Sequence, residues 1–228
     1  MGPEELRPAF YALRPGGWRD YVTVLHAPYT LWNLAYVAVG AALAPEFRTG
    51  RMLWTMAAFA LALGVAAHAL DELNGRPLRT GIGDGVLVAL ALASLAGACA
   101  IGVWAAFAWD EPGLLAFVAA GAAVVPAYNL EWLGGAVHNT WGLALSWAAF
   151  PVLTAYFAQA GTLRAEAVLA AGFAAALIVV QRTLSTPVRH ARRVLGTTEG
   201  VEPMERSLRI LPWAIVLLAG ALVVARLT

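Results

Sequence analysis

From Asp84 to Ala108 the chain reads DGVLVALALASLAGACAIGVWAAFA, and after the opening aspartate no charged residue interrupts the run. A helix rises about 1.5 Å per residue, so about 20 apolar residues cross a hydrocarbon layer about 30 Å thick. This stretch is long enough to do so. The same kind of run recurs on both sides, and the breaks between runs predict helices over 28–45, 52–73, 84–108, 114–132, 138–160, 164–184 and 210–227. The breaks are Pro45 before Arg48, Gly50 and Arg51, Pro77 with Gly81 and Gly83, Asp110-Glu111-Pro112-Gly113, Gly134-Gly135, Gly161, and the segment from Pro187 to Pro203. The expected fold is an all-α integral membrane bundle of about seven spans, a single domain with an N-terminal arm (1–27) and an Arg-rich loop (185–209).

Composition agrees. The 228 residues are 61% hydrophobic and 13% charged, with mean hydropathy +0.69, against about 45–50% and about 25% in soluble domains. A soluble globule is excluded, and the partner of most of the surface is the lipid bilayer. The net charge of +1 gives no basic field for nucleic acid. All 15 basic residues are Arg. The lone Cys99 allows no intrachain disulfide. The N-terminal stretch carries Glu4, Glu5, Arg7, Arg14, Arg19 and Asp20 without an apolar core, so no cleavable signal peptide is expected. Oligomeric state has no signature in the sequence.

Positive residues in short loops stay on the cytoplasmic side. Arg7, Arg14 and Arg19 in the arm, Arg76 and Arg79 in the second loop, and Arg182, Arg189, Arg192, Arg193, Arg206 and Arg209 around the sixth share one side, leaving Arg48, Arg51, Arg164 and Arg226 for the other. This predicts a cytoplasmic N-terminus in a prokaryotic plasma membrane. All four histidines, His26, His68, His138 and His190, fall on the cytoplasmic face.

Two stretches on that face could carry chemistry. In Ala67-His68-Ala69-Leu70-Asp71-Glu72-Leu73-Asn74-Gly75-Arg76-Pro77 the i, i+3, i+4 spacing lets His68, Asp71 and Glu72 point into one cavity; the blander alternative is that the carboxylates end the helix in headgroup water. In Tyr128-Asn129-Leu130-Glu131-Trp132-Leu133-Gly134-Gly135-Ala136-Val137-His138-Asn139 the Gly pair reads as a hairpin turn that brings Glu131 and His138 to one depth; the blander alternative is a solvated polar turn. Imidazole and carboxylate donors on facing helices suit iron, zinc or manganese, one or two ions, better than magnesium. The expected metal ligands are therefore His68, Asp71, Glu72, Glu131 and His138, with Glu72 and Glu131 as catalytic carboxylates. Arg76, Arg182, Arg189 and His190, with Tyr128 and Asn129, are the expected substrate or anion contacts, since guanidinium forks suit phosphate or carboxylate heads. Asp84 reads as an N-cap.

Several of these stretches resemble the UbiA-type superfamily of intramembrane prenyltransferases: Tyr29-Thr30-Leu31-Trp32, the polar end of the second helix followed by Arg76-Pro77-Leu78-Arg79-Thr80-Gly81, Tyr128-Asn129, and the run from Phe150 to Gln159. The resemblance implies a helical bundle with a lipophilic cavity open to the cytoplasmic leaflet and an isoprenoid diphosphate held through magnesium on two aspartate-rich motifs, on a scaffold that typically has nine helices. Here His68, Glu72 and Arg76 stand in the first motif and Gln181, Ser185 and Arg189 in the second. The expected function is a membrane metalloenzyme acting on a lipophilic, isoprenoid-type substrate. The alternatives are prenyl transfer from a diphosphate at an altered magnesium site and a non-catalytic lipid- or quinone-binding subunit.

Overall fold

The structure, a computed structural model, describes residues 6–228. They are all-helical, 77% helix with no strand. The helices are α1 (Trp18–Val24), α2 (Ala27–Leu43), α3 (Thr49–Leu73), α4 (Asp84–Ala108), α5 (Leu114–Asn129), α6 (Thr140–Ala160), α7 (Ala165–Leu195) and α8 (Glu202–Leu227). Five of them, α3, α4, α6, α7 and α8, are long and apolar enough to cross a membrane. With no water in the hydrocarbon, only a helix satisfies its own backbone there.

The centre of the bundle is α2, packed on α6 and α8 with α3 and α7 beside it. Its small residues allow close approach: a Cβ on Gly40 would fall 2.2 Å from the Val152 carbonyl oxygen of α6. Large apolar side chains instead face outward, among them Leu92 and Phe107 on α4, Leu169 and Phe173 on α7, and Leu217 and Val224 on α8. In water such a surface would aggregate; against lipid tails it is the expected one.

Three helices contain π-helical turns: Ala60–Ala67 in α3, Leu145–Ala149 in α6 and Ala191–Leu195 in α7. Each widens the coil by one residue and re-aims the side chains beyond it, and such turns gather at functional sites.

The boundaries differ from the sequence reading in instructive places. The segment 185–209, expected as a loop, is helical except for 196–201. Pro187 sits inside α7 at the cost of one ladder bond, and Pro203 occupies the first turn of α8, where no donor is needed. The polar helix ends thus continue past the apolar part. Asp84 is the first helical residue after Gly83 at the cap, and it pairs with Arg76. The Gly134-Gly135 turn does join two helices, with Glu131, Leu133, Gly134 and Gly135 all at positive φ; α6 then opens on Asn139, whose side chain accepts from the backbone of Trp141 and Gly142.

Candidate functional site

A cavity of about 420 Å³ opens at the end of the bundle that carries the histidines. Its wall on α2 is a stripe at i, i+3 and i+7, namely His26, Tyr29 and Asn33, with Trp32 beside it. Facing it is the α7 stripe of Ile178, Gln181, Arg182, Ser185 and Arg189. The two helices run antiparallel in a register fixed at two points: the Tyr29 hydroxyl meets the Gln181 amide, and the Tyr36 hydroxyl donates to the Ala174 carbonyl at 3.2 Å. At 1.5 Å per residue, Asn33 therefore lies about 7 Å deeper than Arg182 and about 18 Å deeper than Arg189. All three π-helical turns deliver lining residues: His68 comes directly after the first, Trp147 lies in the second, and Arg192 and Arg193 lie in the third.

Of the expected site residues, His68, Asp71, Glu131, His138, Tyr128, Asn129, Arg182 and Arg189 line this one cavity. Glu72 does not. It is 1% exposed, and its carboxylate accepts from the backbone N–H of Leu78 (2.9 Å) and Thr80 (2.8 Å) and from the Thr80 hydroxyl (2.8 Å). The loop that follows α3 folds back over this carboxylate and takes it out of the pocket that Asp71 lines. Arg76 is likewise a loop residue, bonded to the Thr80 and Ile82 carbonyls and to Asp84. His190 is exposed and outside the cavity.

The remaining donors are spread along the wall. His68 Nδ1 lies 3.3 Å from the Gly64 carbonyl, and its ring lies tilted against that of His26, 4.0 Å between centroids. His138 Nδ1 lies 3.0 Å from the Tyr128 carbonyl, which can only accept, so that nitrogen carries the proton. Glu131 reaches no nearer than 4.0 Å to the same nitrogen. Among the described residues no three His, Cys, Asp or Glu side chains converge as a metal ion requires. As folded, the five expected ligands do not form one coordination shell.

What the cavity does gather is unpaired charge. Arg192 is taken up by Glu205, with N···O distances of 2.6 and 2.9 Å, and Glu205 also holds Arg209. Arg182 donates to the Tyr128 hydroxyl at 3.1 Å. Arg193 has only a long bond, 3.4 Å, to the Pro8 carbonyl. The Arg189 guanidinium and the Asp71 carboxylate make no hydrogen bond or ion pair to any described residue. The N-terminal arm covers the mouth with Phe10 and Tyr11 and is tied to α7 by Arg192, which donates to the Arg7 carbonyl. Burial pushes the Tyr11 hydroxyl up, with Tyr29 adding to the effect. Burial, then the neighbouring His68, Arg193 and Arg189, hold the His26 imidazole well below its ordinary range. His26 is therefore neutral, and it sits in a left-handed backbone conformation (φ 46°) at the start of α2. Strain of this kind collects at binding sites.

Sequence reasoning passed over Tyr11, Asn33 and Arg193, and placed His26 on the right face without a role. The i, i+3, i+7 stripe of His26, Tyr29 and Asn33 is a signal that puts Asn33 on the His26 face, without giving its role. No protein-family model, curated protein or solved structure matches the chain significantly.

Proposed function

We propose that this chain is a seven-span membrane protein with its N-terminus in the cytoplasm, and that its cavity takes a lipophile with a phosphate-type anionic head from the inner leaflet. The observation that carries this is the guanidinium of Arg189, which lines the exposed mouth of the cavity beside the weakly held Arg193 and makes no hydrogen bond or ion pair to any described residue. Among the described lining residues, Asp71 and Glu131 are too few to balance Arg182, Arg189 and Arg193. Planar guanidinium forks fit phosphate oxygens, and each charge-assisted bond contributes about 1.5–3 kcal/mol. The lower wall, with Trp32, Leu143, Trp147 and Ile178, suits a hydrocarbon tail.

The chemistry available to a bound substrate comes from this chain's own groups. Arg189 and Arg193 would hold the head and draw off charge that develops on it. Neutral His26 offers its unpartnered Nε2 for a hydrogen bond to the bound molecule, and the arm with Tyr11 limits water at the mouth. The UbiA resemblance supplies the reaction class in this reading: transfer of an isoprenoid group away from a diphosphate, with pyrophosphate as the released product.

Binding of a C15 isoprenoid diphosphate to the chain in lipid nanodiscs tests the proposal. Arg189→Gln and Arg193→Gln should each weaken binding about tenfold or more, in line with the loss of one charge-assisted bond. Arg206→Gln, an exposed position outside the cavity, should leave binding unchanged. Equal affinity in wild type and both cavity variants would sink the reading, and pyrophosphate release measured on the same samples tests the reaction.

A further inference from the structure

We propose that the floor of the cavity is a separate polar subsite, in which Asn33 Oδ1 accepts a hydrogen bond from a hydroxyl group on a lipophilic ligand. The Asn33 side chain donates through Nδ2 to the Tyr29 carbonyl at 2.9 Å. A carbonyl only accepts, so the amide cannot be turned the other way, and the oxygen is the atom left over. That oxygen is buried and has no partner, and Asn33 is 5% exposed while lining the cavity.

The other two buried side-chain atoms left without a partner among the described residues are His26 Nε2 and Trp32 Nε1. They also belong to lining residues. Trp32 Nε1 has the Tyr36 hydroxyl at hand, and His26 lies about two helical turns nearer the mouth. Asn33 is thus the unanswered polar group at the level of Ile178. A buried acceptor without a donor is unfavourable, and native proteins keep few of them. The same cavity is lined by the apolar side chains of Trp32, Leu143, Trp147 and Ile178. A ligand fitting that level is mostly hydrocarbon or ring and carries one donor, as an isoprenoid alcohol or an alkyl phenol does.

The inference takes from the proposed function only that the cavity holds lipophiles, and its test uses neutral compounds that ignore the arginines. A C15 isoprenoid alcohol and its methyl ether are compared at equal mole fraction in nanodiscs carrying the full chain, read by quenching of tryptophan fluorescence. The ether keeps the oxygen and loses the donor. A site built to hydrogen-bond a hydroxyl rejects the analogue lacking it, so the wild type should prefer the alcohol by about tenfold or more. In Asn33→Leu the preference should fall to about twofold or less, while the ligand-free unfolding temperature stays level or rises because an unanswered acceptor has gone.

Equal wild-type affinity for the two compounds overturns the inference, whether or not the variant folds. So does a preference that survives in folded Asn33→Leu. If Arg189→Gln leaves diphosphate binding untouched while the alcohol preference holds, the head-group reading fails and this one stands.

Discussion

The two ends of the bundle treat buried polar side chains in opposite ways. Away from the cavity, Arg51 is 9% exposed and donates to the carbonyls of Ala158 (2.9 Å) and Trp109 (3.1 Å), closing the last turns of α6 and α4. Gln159 bonds the Arg48 backbone in both directions, at 2.9 and 3.1 Å. At the cavity end Asn33 Oδ1 and His26 Nε2 are buried without a partner among the described residues, and the half-buried Asp71 and the exposed Arg189 make no hydrogen bond or ion pair to any of them. Helix ends leave carbonyls and N–H groups that must be answered, and a side chain that answers them is structural. In the proposed reading, a polar group left without an answer is reserved for something that binds.

The sharpest form of the contrast is between neighbours in sequence, Asp71 and Glu72, and it makes the largest prediction. Glu72→Ala leaves the N–H groups of Leu78 and Thr80 buried without an acceptor, and should cost about 3 kcal/mol or more in denaturant unfolding in detergent. Asp71→Asn should cost less than about 1 kcal/mol, because no hydrogen bond is lost. Comparable losses for the two would erase the distinction between loop staple and cavity group.

The next contrast sets one arginine against another. Arg51→Ala strips acceptor contacts from two helix ends and should lower stability by about 2 kcal/mol. Arg189→Ala should leave the unfolding temperature of the free protein within error, and should cut the stabilisation that a phosphate-headed lipophile gives the wild type by about 1.4 kcal/mol or more, the equivalent of a tenfold loss of affinity. Arg51→Ala should keep that ligand-induced rise. A third substitution probes the shared scaffold: Gly40→Ala forces a methyl onto the Val152 carbonyl and should cost about 1–3 kcal/mol by thermal unfolding, without changing the relative affinity for alcohol and ether.

The architecture was legible where apolar runs are long: α4 ends where its uncharged run ends, and the Gly134-Gly135 pair does turn the chain. The Arg-rich stretch misled because positive charge and proline both read as loop, whereas helix ends extend beyond the hydrocarbon and tolerate both. For the site, helical spacing put His68 and Asp71 on the same cavity, but it grouped Glu72 with them, whereas the loop donors of Leu78 and Thr80 take up that carboxylate. Nothing in the sequence distance between Glu72 and Thr80 announces that the loop folds back onto the carboxylate. Asn33 was invisible for a different reason. An asparagine in an apolar run becomes informative only when its amide has one bond made and one unmade.

The smallest predicted effect concerns His26, the titratable group at the mouth. Its folded-state pKa is depressed, chiefly by burial and then by His68, Arg193 and Arg189, while in the unfolded chain it returns to about 6.5. Above that value both states are neutral at this site and stability is whole. As pH falls through it the unfolded chain takes up a proton that the folded one refuses, so stability declines by up to about 1.4 kcal/mol per pH unit. His26→Asn removes the titration while keeping a residue that tolerates the left-handed conformation at φ 46°. Between about pH 7.5 and about pH 5.5 the unfolding temperature of the wild type should therefore fall more steeply than that of the variant. Parallel slopes would mean that the His26 imidazole charges within the fold. The two ends of the bundle would then be more alike than the hydrogen bonds indicate.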